Sequence, residues 1–170
     1  ITAGHIDVAF NPTGNNTDFK VSASIIDAAG NHSGPVSDTA RLQLTMPGAP
    51  EVTIVEDGNN DGYINRDELK DNDIDVRVTL PEGAAAGDTL TISGSGNVDK
   101  VITLTQAQID AGYVDVKFNP TADNTDFVAT ATIRDVAGNS AGPVSDSARL
   151  QLSAPGKPVV EITEDANNDG

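Results

Sequence analysis

The sequence predicts an all-β protein built from antiparallel β-sandwich units of 108 residues set in tandem. Three observations predict this. Apolar and polar residues alternate with a period of 2: in Ile74-Asp75-Val76-Arg77-Val78-Thr79-Leu80 every other side chain is apolar, the pattern of a strand with one face buried. Clusters of Gly, Pro, Asn and Asp break the alternating stretches at short intervals, as turns require. The chain also repeats itself. Residues 1–62 align without a gap onto 109–170, an offset of 108, and about 40 of the 62 pairs are identical. A repeat this long is the size of a whole domain rather than of a solenoid turn.

Each strand has its own warrant. Val114, Val116 and Phe118 alternate with Tyr113, Asp115 and Lys117. Phe127, Ala129, Ala131 and Ile133 alternate with Val128, Thr130, Thr132 and Arg134. Ala148, Leu150 and Leu152 face away from Arg149 and Gln151. Shorter strands are expected over 51–55, 88–93 and 98–104. The turns between them are Pro81-Glu82-Gly83, Gly94-Ser95-Gly96-Asn97, Asn119-Pro120 and Ala137-Gly138-Asn139. Seven short strands in roughly 100 residues is the arithmetic of an immunoglobulin-like sandwich. With no Cys and no Trp, the likeness is one of architecture only. One stretch, Thr105 to Ala111, is expected to form a helical turn.

The repeat sets the domain boundaries. Residues 47–154 form a complete unit, 1–46 the C-terminal half of a preceding one, and 155–170 the linker, first strand and first loop of the next. On this reading the chain starts and stops inside domains. A half sandwich leaves its inner face open to water. The units join through Pro47-Gly48-Ala49-Pro50 and Pro155-Gly156-Lys157-Pro158, short and partly stiff because proline fixes φ.

Composition narrows function. Lys and Arg number 10 and Asp and Glu 26, for a net charge of −16. This repels nucleic acid and anionic membrane surfaces, so neither is expected as a partner. No apolar run approaches the ~18 residues of a membrane span. The absence of Cys removes the disulfide staple common in secreted domains and leaves bound metal as one replacement. Catalysis is not expected. The two histidines, His5 and His32, are replaced by Tyr113 and Ser140 in the second copy, and no Ser–His–Asp set, phosphate loop or zinc cluster is present.

The sharpest local signal follows the first strand of the complete unit, in Glu56-Asp57-Gly58-Asn59-Asn60-Asp61-Gly62-Tyr63-Ile64-Asn65-Arg66-Asp67-Glu68. Counting from Asp57, oxygen side chains fall at positions 1 (Asp57), 3 (Asn59), 5 (Asp61), 9 (Asn65) and 12 (Glu68), with Gly62 at 6. That is the spacing of a twelve-residue calcium loop. Calcium takes six to eight hard oxygens, and alternate residues of a coiled loop can point inward to supply them. The Tyr63 carbonyl would be the position-7 ligand, and Glu68 would close the shell with two oxygens. The flanks read as strand rather than helix, so the loop is expected as a Ca²⁺ site grafted onto a sandwich; the plainer reading is an acidic turn in solvent. Asp165, Asn167 and Asp169 begin the same loop in the next unit.

A second loop, Asp135-Val136-Ala137-Gly138-Asn139-Ser140, has Asp27-Ala28-Ala29-Gly30-Asn31 as its counterpart. Immunoglobulin-like strand order places it at the end facing the preceding unit. Two readings stand: a hairpin turn held by its own Asp, or a loop offering Asp135 and Asn139 oxygens to a calcium at the junction. Asp18, Asp126, Asp38 and Asp146 are weaker candidates.

Taken together, the Glu-Asp-x-Asn-Asn-Asp-Gly loop, the stretch Leu104-Thr105-Gln106-Ala107-Gln108-Ile109-Asp110-Ala111-Gly112 and the Asp-x-Ala-Gly-Asn hairpin resemble the extender repeats of giant RTX adhesins of Gram-negative bacteria. The resemblance covers one whole repeat and both fragments. It implies type I secretion, an extracellular array anchored at the outer membrane, and calcium-stiffened rods that carry distal ligand-binding domains away from the cell. It also implies Asp57, Asn59, Asp61 and Glu68 as ligands, with Asp135 as a further candidate. The partners it implies are the neighbouring repeats of the same chain. The alternative function is a calcium-dependent binding module for carbohydrate or for homophilic contacts. Against a sugar site, only Tyr63 and Tyr113 could serve as aromatic platforms. Each unit would span roughly 40 Å, from strands of about seven residues at ~3.3 Å each plus loops and linker.

Overall fold

The computed structural model describes residues 4–11 and 14–164. The chain is mostly β-strand, in antiparallel sheets, with one short helix. The strands are β1 (Thr17–Ile26), β2 (His32–Leu42), β3 (Glu51–Ile54), β4 (Tyr63–Ile64), β5 (Ile74–Thr79), β6 (Thr89–Gly94), β7 (Lys100–Thr103), β8 (Tyr113–Phe118), β9 (Asp126–Arg134) and β10 (Ser140–Leu150), with helix α1 (Gln106–Ala111) between β7 and β8.

Within residues 47–154 two sheets enclose one core. One has the order β3-β5-β8; the other runs β4-β10-β9-β6-β7. The alternation read from the sequence decides which side chains go in. Ile74, Val76 and Val78 of β5 are fully buried while Arg77 and Thr79 face out. Phe127, Ala129, Ala131 and Ile133 of β9 are all fully buried. They meet Leu90 and Ile92 of β6, Val114 and Phe118 of β8, and Leu150 of β10 in a single apolar cluster. Outside the core, cross-strand pairs dress the β5–β8 face. Arg77 pairs with Asp115 at 2.8 Å through two parallel hydrogen bonds, and its guanidinium lies 4.0 Å from the Tyr113 ring centre. Such a planar fork is among the stronger surface pairs.

The helical turn forms as its caps dictate. The Thr105 hydroxyl accepts from Gln108 N and Gln108 reaches back to Thr105 N, while Gly112 at φ 79° ends the helix in the left-handed region that glycine tolerates. Two elements depart from the sequence expectation. The last strand reaches back to Ser140, because β9 pairs with it along most of its length across a bulge between Ala141 and Val144. The two-residue β4 adds an eighth strand to the unit; it pairs in parallel with β10, Tyr63 opposite Arg149 and Ile64 opposite Leu150.

Close packing makes Gly94 indispensable. A Cβ there would stand 2.8 Å from Phe118 ring atoms and 3.0 Å from Phe127, at the heart of the core. Gly94→Ala is therefore expected to cost about 1–3 kcal/mol by overpacking, measured as a lower denaturant midpoint; an unchanged midpoint would show that the rings have room to move.

The hairpin β1–β2 repeats β9–β10 at the 108-residue offset. Its register includes Phe19 opposite Ala40 and Thr17 opposite Leu42, as Phe127 stands opposite Ala148. Asn16 and Asn124 both take positive φ, 55° and 62°. Burial differs sharply. Ile25, equivalent to the buried Ile133, is 73% exposed, because among the described residues no second sheet covers the hairpin.

Candidate metal centre

The loop after β3 coils on its own side chains. Asp57 accepts from Asp61 N at 3.0 Å through one carboxylate oxygen and from Gly62 N at 2.9 Å through the other. Asn59 Oδ1 accepts from the same Asp61 N at 3.0 Å, and Asn59 Nδ2 donates to Asp61 Oδ2 at 2.9 Å. Asp61 Oδ1 in turn accepts from Tyr63 N at 2.9 Å. Asn60 and Gly62 turn the chain through positive φ, 56° and 83°, which Asn and Gly adopt most readily.

Strand pairing then aims a backbone carbonyl. Gly62 O accepts from Arg149 N and Ile64 O from Gln151 N, at 2.8 and 2.9 Å. Successive residues of a strand point to opposite sides, so the Tyr63 carbonyl, between these two, turns away from β10. It lies on the side of its own N–H, which faces Asp61. Asp57, Asn59 and Asp61 are thus brought together, with the Tyr63 carbonyl on their side of the strand.

Asn65 and Glu68 belong to a second turn. Asn65 Oδ1 accepts from Asp67 N and Glu68 N at 2.9 and 3.2 Å, and Glu68 Oε2 accepts from Asn65 N at 3.0 Å. This reciprocal arrangement is a capping box, and Leu69, at its end, is buried in the core. Sequence spacing assigned Glu68 to close the shell begun by Asp57; here it closes the turn begun by Asn65. Among the described residues no three His, Cys, Asp or Glu side chains stand close enough to share a metal. The donor set nonetheless fits calcium in its chemistry: three carboxylates, two carboxamides and one carbonyl, all hard oxygens. Coordination by both Glu68 oxygens would have Oε2 serve the ion and the Asn65 N–H together. Asp165, Asn167 and Asp169 lie outside the described residues.

Asp135 stands at the opposite end of the unit. Its Oδ1 accepts from Asn139 N and its Oδ2 from Asn139 Nδ2, both at 2.8 Å, and Gly138 turns at φ 98°. Burial pushes its carboxyl up, but the bonds from Asn139 and the loop backbone outweigh that and hold it below the ordinary carboxylate value. A further contact comes from the preceding repeat, where Gln43 Nε2 donates to Asp135 Oδ2 at 3.1 Å. The weaker candidates have other work. Asp126 pairs with Arg149 and Asp18 with Arg41; Asp146 accepts from Ile54 N at 2.8 Å, joining the two sheets; Asp38 accepts from Thr39 N at 2.9 Å.

Two acids escaped the sequence reading. Asp88, only 2% exposed, accepts from Ala85 N at 2.9 Å. One step beyond the pair Thr89–Arg134, it falls opposite Asp135 in register. Its signal was faint: an Asp after Gly87 at a strand start reads as an ordinary turn residue. Glu56 lies beside the Asp57 loop and accepts from Asp75 N at 2.6 Å. Burial, with added repulsion from Asp75 and Asp71, raises its carboxyl above the usual value. Nearby, Lys117 reaches Asp71 at 2.6 Å, Asp75 at 3.2 Å and Asp73 at 3.5 Å, and Asp71 and Asp75 push its ammonium up.

These shifts set an acid limit. Asp71, beside Lys117, Asp115, beside Arg77, and Asp135 are held below the ordinary carboxylate value. The stability they contribute is present above that value and lost as pH falls through their lower folded values. Glu56 acts in the opposite sense: its contribution is present below 4.5 and lost as pH rises through its raised folded value. Melting temperature is therefore expected to hold from neutrality to about pH 5 and to fall steeply below about pH 4; thermal melts at pH 7, 5 and 3 measure this, and a flat profile to pH 3 would rule it out. A scan against protein-family models finds no match to this chain, and no curated protein matches it.

Proposed function

We propose that the chain is part of a tandem array of immunoglobulin-like units that serves as an extracellular spacer. In this reading the array is stiffened by calcium and anchored at a bacterial outer membrane, and it carries distal ligand-binding domains away from the cell, as in the adhesins it resembles. The observation that carries the reading is the repeat: two copies of one hairpin, 108 residues apart, with equivalent strands and loops. The orders β3-β5-β8 and β4-β10-β9-β6-β7 support the immunoglobulin-like assignment. The short β4 is then an offshoot of the first strand, which crosses to the opposite sheet and leaves seven principal strands.

Asp57, Asn59, Asp61 and the Tyr63 carbonyl would hold the calcium, with Asn65 and Glu68 completing the shell. The ion would gather carboxylates that otherwise repel one another in a chain of net charge −16. Occupied sites stabilise the fold by mass action. The test is small-angle scattering of the full chain in millimolar calcium and in chelator: the reading expects a more extended, better-defined profile with calcium. Identical profiles would remove calcium stiffening from the proposal.

A further inference from the structure

The junction between the two repeats carries more structure than a linker. On the upstream side, Asn15 Oδ1 accepts from Leu44 N at 2.6 Å and from Thr45 N at 3.3 Å, and Asn15 Nδ2 donates to Thr45 Oγ1 at 2.8 Å. Residues 44–45 are therefore tied to the preceding repeat. On the downstream side Pro47 and Pro50 are buried, and a Cβ on Gly48 would stand 3.0 Å from Pro81. The connector packs on the repeat that follows it, and only Met46 remains between the two attachments.

A side chain then bridges that gap. Gln43 Nε2 donates to Asp135 Oδ2 at 3.1 Å, and Asn139 Nδ2 donates to the Gln43 carbonyl at 3.1 Å. The receiving loop is preformed. Its upstream copy makes the same internal bonds: Asp27 Oδ1 accepts from Asn31 N, and Oδ2 from Asn31 Nδ2, both at 2.8 Å, although among the described residues no glutamine sits against it. A preorganised acceptor loses little freedom when it binds. At the other end of the complete repeat, Gln151 occupies the position of Gln43. Its backbone N–H is bound to Ile64 O and the residue is exposed, as are Pro155 and Pro158.

From this we infer that each repeat has two complementary poles that form an ion-independent clasp: an Asp/Asn loop at its N-terminal end and a glutamine at the end of its last strand. Gln43 engages Asp135 and Asn139, and Gln151 is placed to engage the matching loop of a following repeat. Unlike poles joined head to tail can propagate from repeat to repeat, giving an open array where the rotation between repeats does not close. The clasp rests on the tandem-array reading but not on calcium. Because Gln151 is bonded through its N–H to the calcium loop, it also seats that loop next to the junction it would hold.

The test uses the full chain, which has no native Cys. Spin labels are placed through Lys20→Cys on β1 and Asp99→Cys in the β6–β7 turn, with and without Gln43→Ala, in calcium and in chelator. The distance distribution is expected to be narrow in both media and to broaden to at least about twice its width with Gln43→Ala, since packed units whose contacts are lost move independently. A distribution narrow only in calcium overturns the clasp and leaves calcium stiffening standing. One narrow in both media that broadens with Gln43→Ala upholds the clasp and counts against stiffening by the ion. Equal widths with and without Gln43→Ala overturn the clasp. The Asn139 side-chain amide, followed by NMR in the same chains, reports the contact even where the hairpin is loose. A signal that moves with Gln43→Ala supports the clasp, and one that stays put overturns it.

Discussion

Phe127→Ala is expected to cost the 47–154 unit about 3–5 kcal/mol, while the equivalent change Phe19→Ala costs less than about 1 kcal/mol. The two residues occupy the same place in the repeat. Phe127 is completely buried between the sheets and meets the Phe118 ring at a centroid distance of 6.0 Å. Removing its ring forfeits the transfer energy of a large side chain and leaves a cavity that rigid strands cannot collapse. Against a typical total of about 5–15 kcal/mol, that is a large fraction of the stability. Phe19 touches Phe10 edge-on at 5.6 Å, but its hairpin has no covering sheet among the described residues. Its ring is partly buried against its own hairpin rather than enclosed between two sheets, so its removal leaves no sealed cavity and less is lost. Chemical denaturation of the two variants measures the difference. Equal costs would mean that the hairpin is covered in solution, and the distinction between a complete and a half unit would fail.

The second large effect concerns calcium. Addition of the ion is expected to raise the melting temperature, and Asp61→Ala to abolish the rise. With a Kd of order 10⁻⁴–10⁻³ M and calcium near 1 mM, occupancy stabilises the fold by about 0.4–1.4 kcal/mol. For a unit of this size that is about 2 to 10 °C. Asp61 is the hub of the coil: its N–H binds both Asp57 and Asn59, and its carboxylate oxygens take Tyr63 N and Asn59 Nδ2. Losing it removes a ligand and loosens the loop around it. The affinity should fall by at least the roughly 10–100-fold that follows loss of an outer-shell partner. Titration calorimetry gives that number directly, with Asp110→Asn on the exposed helix as the control that should bind normally. Equal heats from the Asp61 variant would mean that any bound calcium sits elsewhere.

How far the sequence could be read depends on the range of the interactions involved. Strands β5, β8 and β9 were legible because their period of 2 is written in adjacent residues, as was α1, whose capping box lies within four. The repeat was legible because identity needs no geometry. Strand β4 was not: two residues carry no period, and the residues it pairs with on β10 are 86 positions away. Two local schemes compete for Glu68, the twelve-residue spacing from Asp57 and the four-residue box from Asn65. Spacing alone cannot rank them; in the fold Glu68 accepts from the Asn65 N–H.

By itself, then, the chain of letters determined the all-β class, the 108-residue period, the residues that form the core and the oxygen-rich composition of the loop at Asp57. Tertiary structure alone decided which acids are buried, as at Asp88, and which are neutralised, as at Asp71 beside Lys117. It also decided that a glutamine 92 residues away would meet Asp135. The reason is physical. Alternation and turn preference are local properties of a backbone and its neighbouring side chains. The surroundings of a carboxylate are set by whichever strands the packed core brings beside it, and these are far away in sequence.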